Sequence, residues 1–572
     1  MKNIIHFFTF FLVIHLFLIN KIECQKFKFD WAKSAIGTQD DYPRIVKADN
    51  YGDVYMFGDY QSNSIAFDRN LLINNGRVNL FLVKYNTKGK VLWTKGFSGP
   101  DIDGVSGMVI DHNNNITITI DGSLYLDIDS IRIDCSKSTM IVVQLNPQGK
   151  INWIKHYSCD KGISGIGGIS CDSENNIYIS GVNEASIYNE KGNKIFSFKD
   201  SLKCAFIIKI NKIGEMVWIK SIECPQTIYI TSTFIDKNDD LIIYGNFYGK
   251  ILYLDNLEII NYSKKNKFES YYSEIYFAKI LKSGKAKYIK SISGNMDELT
   301  SFNQIMTDSF NNIYLTGLFN SDTLKLDDIT FKANSKTENN YDIFYCKYDS
   351  NGNLVWANTL DNGESLAETS IYIEQNGYFY LIGNYDKNAF KKEKYSLENF
   401  GSDDIFVLFG DSMGNILPNT ISFGGNKSDM IGHITSDQHN IFIIGYFRSD
   451  TINIGKNLIV NSNTDGSSDL FIAKLSKDSI NYIRPIVKSK SISVHPNPAS
   501  NDLFLTIPNH WDENKNIIIS LIDNLGKEIK LSSEKISKYE YSINTKLLNN
   551  GVYYLKIISG ENAEVAKIMI QH

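Results

Sequence analysis

A chain of 572 residues is longer than one compact domain usually is, so two or three domains are expected. Its 33 Tyr and 33 Phe, beside only 9 Pro, favour β-structure punctuated by tight turns, and 22% charged residues argues against extended disorder. A formal net charge of -5 lacks the basic excess of nucleic-acid-binding proteins, so no nucleic-acid partner is predicted.

Residues 1–24 have the pattern of a cleaved signal peptide. Lys2 precedes an apolar run from Ile4 to Ile19, which is short for a membrane span and is followed by charged residues. Cleavage is predicted after Cys24. The alternatives are a lipid attached to Cys24, which lacks small residues before it, and an uncleaved anchor.

Residues 25–484 contain a motif that recurs every roughly 60 to 70 residues, the kind of period typical of repeat folds. Each copy begins with an acidic residue, has Asn or Gly at the turn, and continues as an apolar run. Asp can bond the turn backbone and Asn or Gly tolerates positive φ, so the run is predicted to be an inner, buried strand. The seven copies begin at Asp49, Asp111, Asp172, Asp236, Asp308, Glu374 and Asp437.

A second motif follows each copy and consists of a strand, a turn with Gly and another strand. In four copies it ends in a Trp at one repeated packing position: Trp93, Trp153, Trp218 and Trp356. Trp31 matches that position although no repeat precedes it. We therefore predict that residues 27–33 form the outer strand of the last repeat; residues 479–487 are the competing candidate.

These repeats predict an all-β fold, a seven-bladed β-propeller followed by a small Ig-like β-sandwich domain. Each repeat supplies about four main strands, and a polar stretch between the motifs is expected to add a small outer hairpin. Units that cannot bury both faces alone must stack, and a closed ring protects their edges. Six or eight blades are the alternatives. Residues 27–477 resemble the propeller repeats, often called SBBP-like, of secreted Bacteroidota proteins.

Four cysteines are candidates for cross-strand disulfides in the exported protein. Cys135 and Cys159 lie near-opposite across one hairpin, and Cys204 and Cys224 hold related positions in the next repeat. Cross-strand spacing permits disulfides at some such positions, so Cys135–Cys159 and Cys204–Cys224 are predicted. The alternative is that these cysteines are small buried hydrophobic residues.

Residues 485–490 look like a linker, and residues 491–572 carry four ordered sequence elements. A PNP signature is followed by an Asn-Leu-Gly turn, an LxxGxYxxK stretch that begins at Leu548, and a Lys before the terminal strand. Together these elements resemble the type A C-terminal sorting domain of type IX secretion substrates. The matching residues are Pro496, Asn497, Pro498, Asn501, Asp502, Asn524, Gly526, Gly551, Tyr553, Lys556 and Lys567.

This resemblance implies a destination for the protein. It implies that the type IX machinery recognises the domain and carries the protein across the outer membrane to the surface or the medium. It also implies removal of the domain near residues 487–491, often with exchange for a lipopolysaccharide anchor.

Motifs for catalysis or metal binding are absent from the sequence. There is no HExxH, no GxSxG and no His cluster, so no catalytic residue, metal or cofactor is predicted. The Gly-rich stretch 162–168 is expected to be a turn before an inner strand. Turn capping is favoured over calcium binding for Asp236 and Asp240. The paired acids Asp403 and Asp404 are expected to be solvated loop charges.

Three functions remain open at this point. The leading hypothesis is a surface binding module for a glycan or protein ligand, because a propeller presents loops on a rigid disc. The alternative is a polysaccharide-active hydrolase or lyase that uses the central cavity. A third is a structural component of the cell surface. Fold alone does not separate them.

Overall fold

The computed structural model of the chain is all-β, and it divides into two compact units between residues 478 and 479. No helix among the described residues is long and apolar enough to cross a membrane. The predicted signal peptide, linker and cleavage region lie outside the described residues. The structure describes residues 27–159, 163–183, 186–197, 203–265, 270–299, 305–333, 341–360, 369–386, 389, 397–418, 420–437, 439–463, 466–477, 493–497, 499–507, 517–523, 528–529, 533–559 and 562–571.

The first unit is built from short antiparallel strands. Apolar and β-branched runs form them, and Asn, Asp and Gly turns end them. In chain order they are β1 (Phe27–Ser34), β2 (Asp41–Ala48), β3 (Val54–Tyr60), β4 (Ser64–Phe67), β5 (Asn70–Ile73), β6 (Asn79–Tyr85), β7 (Val91–Ser98), β8 (Asp101–Ile110), β9 (Ile116–Ile128), β10 (Ile131–Leu145), β11 (Ile151–Cys159), β12 (Ile163–Cys171), β13 (Ile177–Asn183), β14 (Ile187–Asn189), β15 (Lys194–Phe196), β16 (Lys203–Ile210), β17 (Met216–Cys224), β18 (Ile228–Ile235), β19 (Leu241–Phe247), β20 (Ile251–Leu254), β21 (Leu257–Ile260), β22 (Glu274–Ile280), β23 (Ala286–Gly294), β24 (Glu298–Leu299), β25 (Ile305–Thr307), β26 (Ile313–Phe319), β27 (Thr323–Leu326), β28 (Ile329–Lys332), β29 (Asp342–Tyr348), β30 (Leu354–Leu360), β31 (Thr369–Ile373), β32 (Phe379–Asp386), β33 (Asp403–Gly410), β34 (Ile421–Phe423), β35 (Asp429–Ser436), β36 (Asn440–Phe447), β37 (Thr451–Ile454), β38 (Asn457–Val460) and β39 (Asp469–Lys477).

These strands form successive four-stranded groups, each running from an innermost to an outer strand. Innermost strands of successive groups contact one another, and β35 contacts β2, so the groups close into a ring. This is the topology of an all-β propeller. The count of seven blades stays a prediction, which this grouping supports. Within the described residues the groups are β2-β3-β6-β7, β8-β9-β10-β11, β12-β13-β16-β17, β18-β19-β22-β23, β25-β26-β29-β30, β31-β32-β33-β34 and β35-β36-β39-β1.

The apolar run after each motif Asp is the second strand of its group, not the innermost one. The second strand β3 and the third strand β6 are buried along their whole length because each sheet is covered on both faces. The innermost strand precedes the Asp, as β2 precedes Asp49. Double-sided burial gives both central strands wholly apolar runs, so the sequence pattern alone did not distinguish their order.

Residues 163–168 of the Gly-rich stretch lie within the innermost strand β12, so the prediction of a turn is wrong for this part of the stretch. A Cβ atom at Gly167 would stand 1.1 Å from the backbone oxygen of Ile230. Only glycine permits this approach between β12 and β18.

The ring closes through its N-terminal strand, as predicted. The strand β1 pairs antiparallel with β39 and places Trp31 opposite Lys474. Trp93 is opposite Lys84 and Trp218 is opposite Lys209, so Trp31 occupies the same register position as the repeat tryptophans. The competing segment, residues 479–487, lies outside the described residues.

Outer hairpins add a second connection between neighbouring groups. The hairpin of one repeat pairs with the outer strand of the group before it: β14 joins β11, β20 joins β17 and β27 joins β23. In repeats 1 and 2, the outer part of β9 joins β7 in the same way. The polar stretch between the motifs therefore forms hairpins that link the repeats.

The predicted disulfides are wrong. Cys159 is opposite Ser138, three residues from Cys135, which at about 3.3 Å per residue is about 10 Å along the strand and too far for a bridge. Cys204 is opposite Glu223, so the adjacent Cys224 points to the other face of the sheet. No disulfide joins the cysteines of the described part of the chain. All four are buried, which agrees with the alternative prediction.

The second unit consists of two four-stranded sheets around one core. Leu503, Leu505 and Ile543 from one sheet share that core with Leu555 and Ile568 from the other. The likeness to an Ig-like sandwich stays a prediction. The sheets are β40-β41-β45-β44 and β43-β42-β46-β47, with bounds β40 (Ser493–His495), β41 (Asp502–Thr506), β42 (Ile517–Asp523), β43 (Glu528–Ile529), β44 (Ser533–Lys535), β45 (Glu540–Asn544), β46 (Gly551–Ser559) and β47 (Asn562–Ile570).

Candidate functional site

The segment after Pro496 holds the last strand of the chain in place. The side-chain oxygen of Asn497 accepts a hydrogen bond from the Met569 backbone at 2.8 Å. Ala499 donates to the Met569 carbonyl at 2.8 Å, and Gln571 donates to the Ala499 carbonyl at 2.9 Å. Because β47 is the last strand of its sheet, this segment covers an edge that would otherwise expose unpaired backbone groups.

The end of the PNP signature is tied to the turn between β45 and β46. The Asn501 carbonyl accepts a hydrogen bond from the Thr545 backbone at 2.8 Å. Asp502 begins β41 and is opposite Asn544. The end of the first sequence element therefore contacts the turn that leads into the third element.

The LxxGxYxxK stretch shapes the beginning of β46. Leu548 is buried in the core, and Gly551 is the first residue of the strand. The Tyr553 ring is buried while its hydroxyl donates to the Asn549 carbonyl at 2.9 Å. Lys556 is opposite Ser520, on the face of the strand away from Leu555.

The remaining predicted sorting residues are only partly placed. The backbone of Lys567 lies in β47 opposite Tyr554. Pro498, Asn524 and Gly526 lie outside the described residues.

Within the propeller, the motif Asp forms a buried ionic cluster rather than an open site. The Lys209 ammonium lies 3.1 Å from an Asp172 oxygen, and the Tyr178 hydroxyl donates to that oxygen at 3.2 Å. Burial, followed by the charge of Asp172, raises the pKa of Tyr178, which keeps the phenol protonated. The same Asp–Tyr–Lys arrangement recurs at Asp49, Tyr55 and Lys84, and at Asp308, Tyr314 and Lys347.

The candidate calcium ligands take part in a variant of this cluster. Asp236 accepts hydrogen bonds from the Asn238 and Asp240 backbones at 2.8 and 3.1 Å, as turn capping predicts. The Lys279 ammonium lies 2.5 Å from Asp236 and 3.3 Å from Asp240. A lysine therefore occupies the place at which a cation would compensate these carboxylates.

The repeat tryptophans lie at the contacts between neighbouring groups. The Trp93 indole donates to the Pro147 carbonyl at 3.2 Å, in the turn of the following repeat. Gly149 in that turn lies against the indole. Equivalent indole-to-carbonyl bonds run from Trp31 to Thr87, from Trp153 to Lys212 and from Trp356 to Ser412, and Trp218 lies against Gly284.

The motif turns are also linked to one another. The Asn50 backbone donates to the Asn114 side chain of the next repeat at 3.0 Å. Asn114 has φ of 62°, a conformation that asparagine tolerates and that turns its side chain into this bond. Matching bonds join His112 to Asn175, Ser173 to Asp239 and Lys237 to Asn311.

A small cavity lies among the innermost strands of the first four repeats. Its volume is about 30 Å³, and its lining includes Ile45, Met108, Gly168, Ile169 and Thr231. A cavity of this size holds about two water molecules. It is too small for a sugar ring.

Two titratable side chains, Lys47 and His433, lie on the first and last innermost strands, β2 and β35. His433 is 2% exposed, and neither ring nitrogen has a hydrogen-bond partner in the described part of the chain. Burial, with the nearby Lys47 charge, lowers the pKa of His433, so its ring is neutral. Burial also lowers the pKa of Lys47 to about 8. Among the described residues no three His, Cys, Asp or Glu side chains are grouped as a metal site would require.

The prediction of solvated charges at Asp403 and Asp404 is wrong for Asp404. This residue is fully buried near the start of β33, and burial raises its pKa to about 6. The strand alternation that separates neighbouring side chains leaves Asp403 partly exposed and turns Asp404 inward.

Comparison with known families decides what the second unit is. Residues 493–571 match the family described as the secretion system C-terminal sorting domain. The unit is a type IX sorting domain. The protein is therefore a secreted or cell-surface protein that the type IX machinery handles.

Relatives of the remaining chain are distant. An uncharacterised WD repeat-containing protein, L264, of Acanthamoeba polyphaga mimivirus is 21% identical over 502 residues. That match covers 74% of this chain and 35% of the viral protein, so the chain spans about a third of its relative.

Solved structures also show only remote likeness. The extracellular region of plexin A4 aligns with a TM-score of 0.35 and 9% identity over 94% of this chain and 68% of that chain. A Synechocystis apocarotenoid oxygenase variant aligns with a TM-score of 0.33 and 8% identity, over 78% of this chain and 93% of that chain. A DUF4221 family member from Bacteroides vulgatus aligns with a TM-score of 0.31 and 11% identity, over 79% of this chain and 99% of that chain. With scores this low, the propeller assignment rests on the strand topology described above.

One set of contacts outside the sorting domain was missed by the sequence patterns. Lys95 follows Trp93 by two residues and pairs with Asp129 of the next repeat's hairpin at 2.7 Å. Lys290 and Asp327 pair likewise at 3.1 Å. The sequence does contain the lysine half of this contact, because a Lys follows the repeat aromatic by two residues in five copies. The acidic partner could not be identified from the pattern, because it lies in another repeat.

Proposed function

We propose that this protein is a non-catalytic binding module that the type IX system delivers to the cell surface, where its propeller holds a glycan or protein ligand. Removal of the sorting domain and attachment to a lipopolysaccharide anchor complete the proposed route. The sorting domain supports the route, and the surface of the propeller supports the binding role.

The observation that carries the binding role is the exposure of large apolar side chains at the turns. Tyr51 and Phe310 stand two residues after the motif Asp of their repeats, and each is 75% exposed. Met413, in another turn, is 71% exposed. Aromatic side chains on a rigid scaffold are the common means of holding sugars and protein partners.

The acidic residues of the repeats favour binding over hydrolysis. The motif Asp carboxylates of repeats 1, 3 and 5 are already bonded to Lys, Tyr and turn backbone groups. A glycosidase needs two carboxyl groups that face one bound sugar. A hydrolase or lyase remains the second candidate, and its test is turnover of the polysaccharide that the protein binds.

Export is tested by deleting residues 493–572. We expect the truncated protein to remain in the periplasm of a bacterium with the type IX system, while the full chain reaches the surface. As a control, Leu458→Ala changes an exposed side chain in the propeller and should leave export intact. Surface display of the truncated protein would refute the route.

Binding is tested by screening the full chain against glycans and surface proteins. We expect Tyr51→Ala combined with Phe310→Ala to weaken binding at least tenfold. Leu458→Ala, which removes a side chain of similar exposure from an outer hairpin, should not change it. Equal binding by all three proteins contradicts the assignment of the ligand to the turns.

A further inference from the structure

The segment between β19 and β22 of the fourth repeat brings tyrosine rings and lysine ammonium groups together. The Lys250 ammonium lies 5.6 Å from the centre of the Tyr262 ring and 5.0 Å from the centre of the Tyr271 ring. The Lys265 ammonium lies 5.5 Å from the centre of the Tyr271 ring, and an antiparallel bridge pairs the two residues. We term these four residues the Tyr–Lys cluster.

Buried polar side chains hold the backbone of this cluster in place. Asn261 is fully buried, and its side chain accepts a hydrogen bond from the Ser263 amide at 2.8 Å and donates to the Tyr272 carbonyl at 3.0 Å. The Ser263 hydroxyl donates to the same carbonyl at 3.0 Å. The backbone amide of Tyr262 donates to the buried Glu274 carboxylate at 2.9 Å. The Tyr262 side chain, which is 71% exposed, therefore projects from a fixed backbone.

The ammonium group of Lys250 keeps donors available for an anion. It donates one hydrogen bond, to the Asn261 carbonyl at 2.8 Å, and a lysine has three N–H donors. Among the described residues no carboxylate forms an ion pair with this ammonium. In the second repeat, by contrast, Arg132 lies 4.0 Å from the centre of the Tyr125 ring but is paired with Asp127 at 2.6 Å. The charge of Lys250 is left for an external partner.

The cluster lies at the end of the strands opposite to the motif turns. The strand β19 begins after the Asp236 turn and ends at Phe247, which pairs with Glu274. The segment that joins Phe247 to Glu274 therefore lies at the other end of the sheet from the Asp236 turn. Tyr51 and Phe310 belong to the equivalent turns of other repeats, so the cluster is separate from the binding surface proposed above and does not depend on it.

We propose that the Tyr–Lys cluster binds an acidic polysaccharide, with a sugar ring packed against the Tyr262 ring and the anionic group of that sugar bonded by Lys250 and Lys265. A tyrosine offers an apolar ring and a polar hydroxyl, which suit the C–H face and the hydroxyls of a sugar. Lysine supplies a compact positive charge for charge-assisted hydrogen bonds to an anion. The net charge of -5 disfavours the extended phosphate contacts of a nucleic acid.

The test is calorimetric titration of the full chain with polygalacturonate and with dextran sulfate, and neutral dextran serves as the uncharged probe. We expect binding to at least one acidic polysaccharide and none to dextran. Lys250→Met should weaken binding about tenfold, because it removes hydrogen bonds to a charged group. Tyr262→Ala should weaken it about fivefold, because it removes the ring that packs against the sugar. Both side chains are exposed, so both variants should fold.

Matched controls change the same residue types at the motif turns. Lys237→Met and Tyr378→Ala remove an exposed lysine and an exposed tyrosine and should leave the affinity unchanged.

Four outcomes would overturn the proposal. The first is binding to neither acidic polysaccharide, and the second is equal affinity of Lys250→Met and Lys237→Met. The third is a loss in Lys250→Met without a loss in Tyr262→Ala, since the cluster would then hold an anion without a sugar ring. The fourth is equally tight binding to phosphatidylglycerol vesicles that Lys250→Met abolishes, since the partner would then be a membrane surface.

Discussion

Gly89 shows how a single residue joins two repeats. Its φ is 75°, and a Cβ atom there would stand 2.7 Å from the Trp31 indole. The turn thus requires glycine for its backbone conformation and for the close approach of the ring. Equivalent glycines lie against the other repeat aromatics.

Gly89→Ala is predicted to destabilise the propeller more than Gly192→Ala. Both positions have φ of 75°, so both alanines carry about 1–2 kcal/mol of backbone strain. Nothing lies within 4 Å of a Cβ atom at Gly192, whereas Gly89→Ala also displaces the Trp31 ring at a cost of about 1–3 kcal/mol. Urea denaturation of both variants measures the difference. Equal losses would show that the indole contact is not tight.

The buried Asp–Lys pairs are a second feature that depends on individual side chains. The side chains of Asp172 and Lys209 are 0% and 7% exposed. Removing one charge leaves the other buried without its ionic partner. In repeat 2, Gln144 holds the lysine position, and the buried Asp111 is bonded instead by the Asn113 and Asn115 backbones and the Asn115 side-chain amide.

Asp172→Asn is predicted to lower the free energy of unfolding by about 3–5 kcal/mol. The matched variant Lys209→Gln should cost less, because repeat 2 already has glutamine at this position. The double variant Asp172→Asn with Lys209→Gln should recover part of the loss. Denaturation of the three proteins checks this order, and a larger loss for Lys209→Gln than for Asp172→Asn would contradict it.

At the scale of elements, the N-terminal strand β1 completes the last group of strands. Ala32 is directly opposite Ala473, about 440 residues away along the chain. Directly opposite residues have Cβ atoms about 4.5–5.5 Å apart. The pair is therefore a suitable position for a covalent test of ring closure.

The variant with Ala32→Cys and Ala473→Cys is predicted to form a disulfide on oxidation. The bond closes a very long loop, so the chain-entropy account gives about 6 kcal/mol of stabilisation. Denaturation with and without reductant measures it. The control pair, Ala32→Cys with Lys474→Cys, points to opposite faces and should remain reduced. A disulfide in the control pair alone would mean that the register is shifted by one residue.

For the whole molecule, closure between distant strands sets the order of assembly. The last contact cannot form until the entire ring is present, and such long-range contacts slow folding. Phe27 is opposite Lys477, so the two strands are oriented as the two arms of a hairpin.

A circular permutant tests this account of folding. It begins at Ala35 and continues through Lys477 and an Asn-Gly turn into residues 27–34. We expect the permuted propeller unit to fold and to refold at least tenfold faster, because ring closure becomes a local hairpin. Circular dichroism and stopped-flow fluorescence are the measurements. An unfolded permutant would argue against the pairing of β1 with β39.

Much of the fold could be predicted because its determinants are local. The repeated Asp turns, apolar runs and Gly turns each act over about ten residues and predict strands wherever they occur. The four elements of the sorting domain also lie in short motifs, so their function could be inferred before their contacts were known. Trp31 could be assigned to the last repeat because its motif matched that of Trp93.

The tertiary structure decided which of these strands and side chains meet. The order of strands within a group, the cysteine register and the lysine partners depend on pairing between segments that share no local signal. Asp404 was predicted to be solvated because its burial comes from the following repeat. The sequence by itself determined an all-β repeat fold and a secretion address. The burial of Asp41 and Asp469, each 1% exposed, was decided only by ring closure, which joins the Asp41 amide to the Ser468 carbonyl and excludes water from this contact.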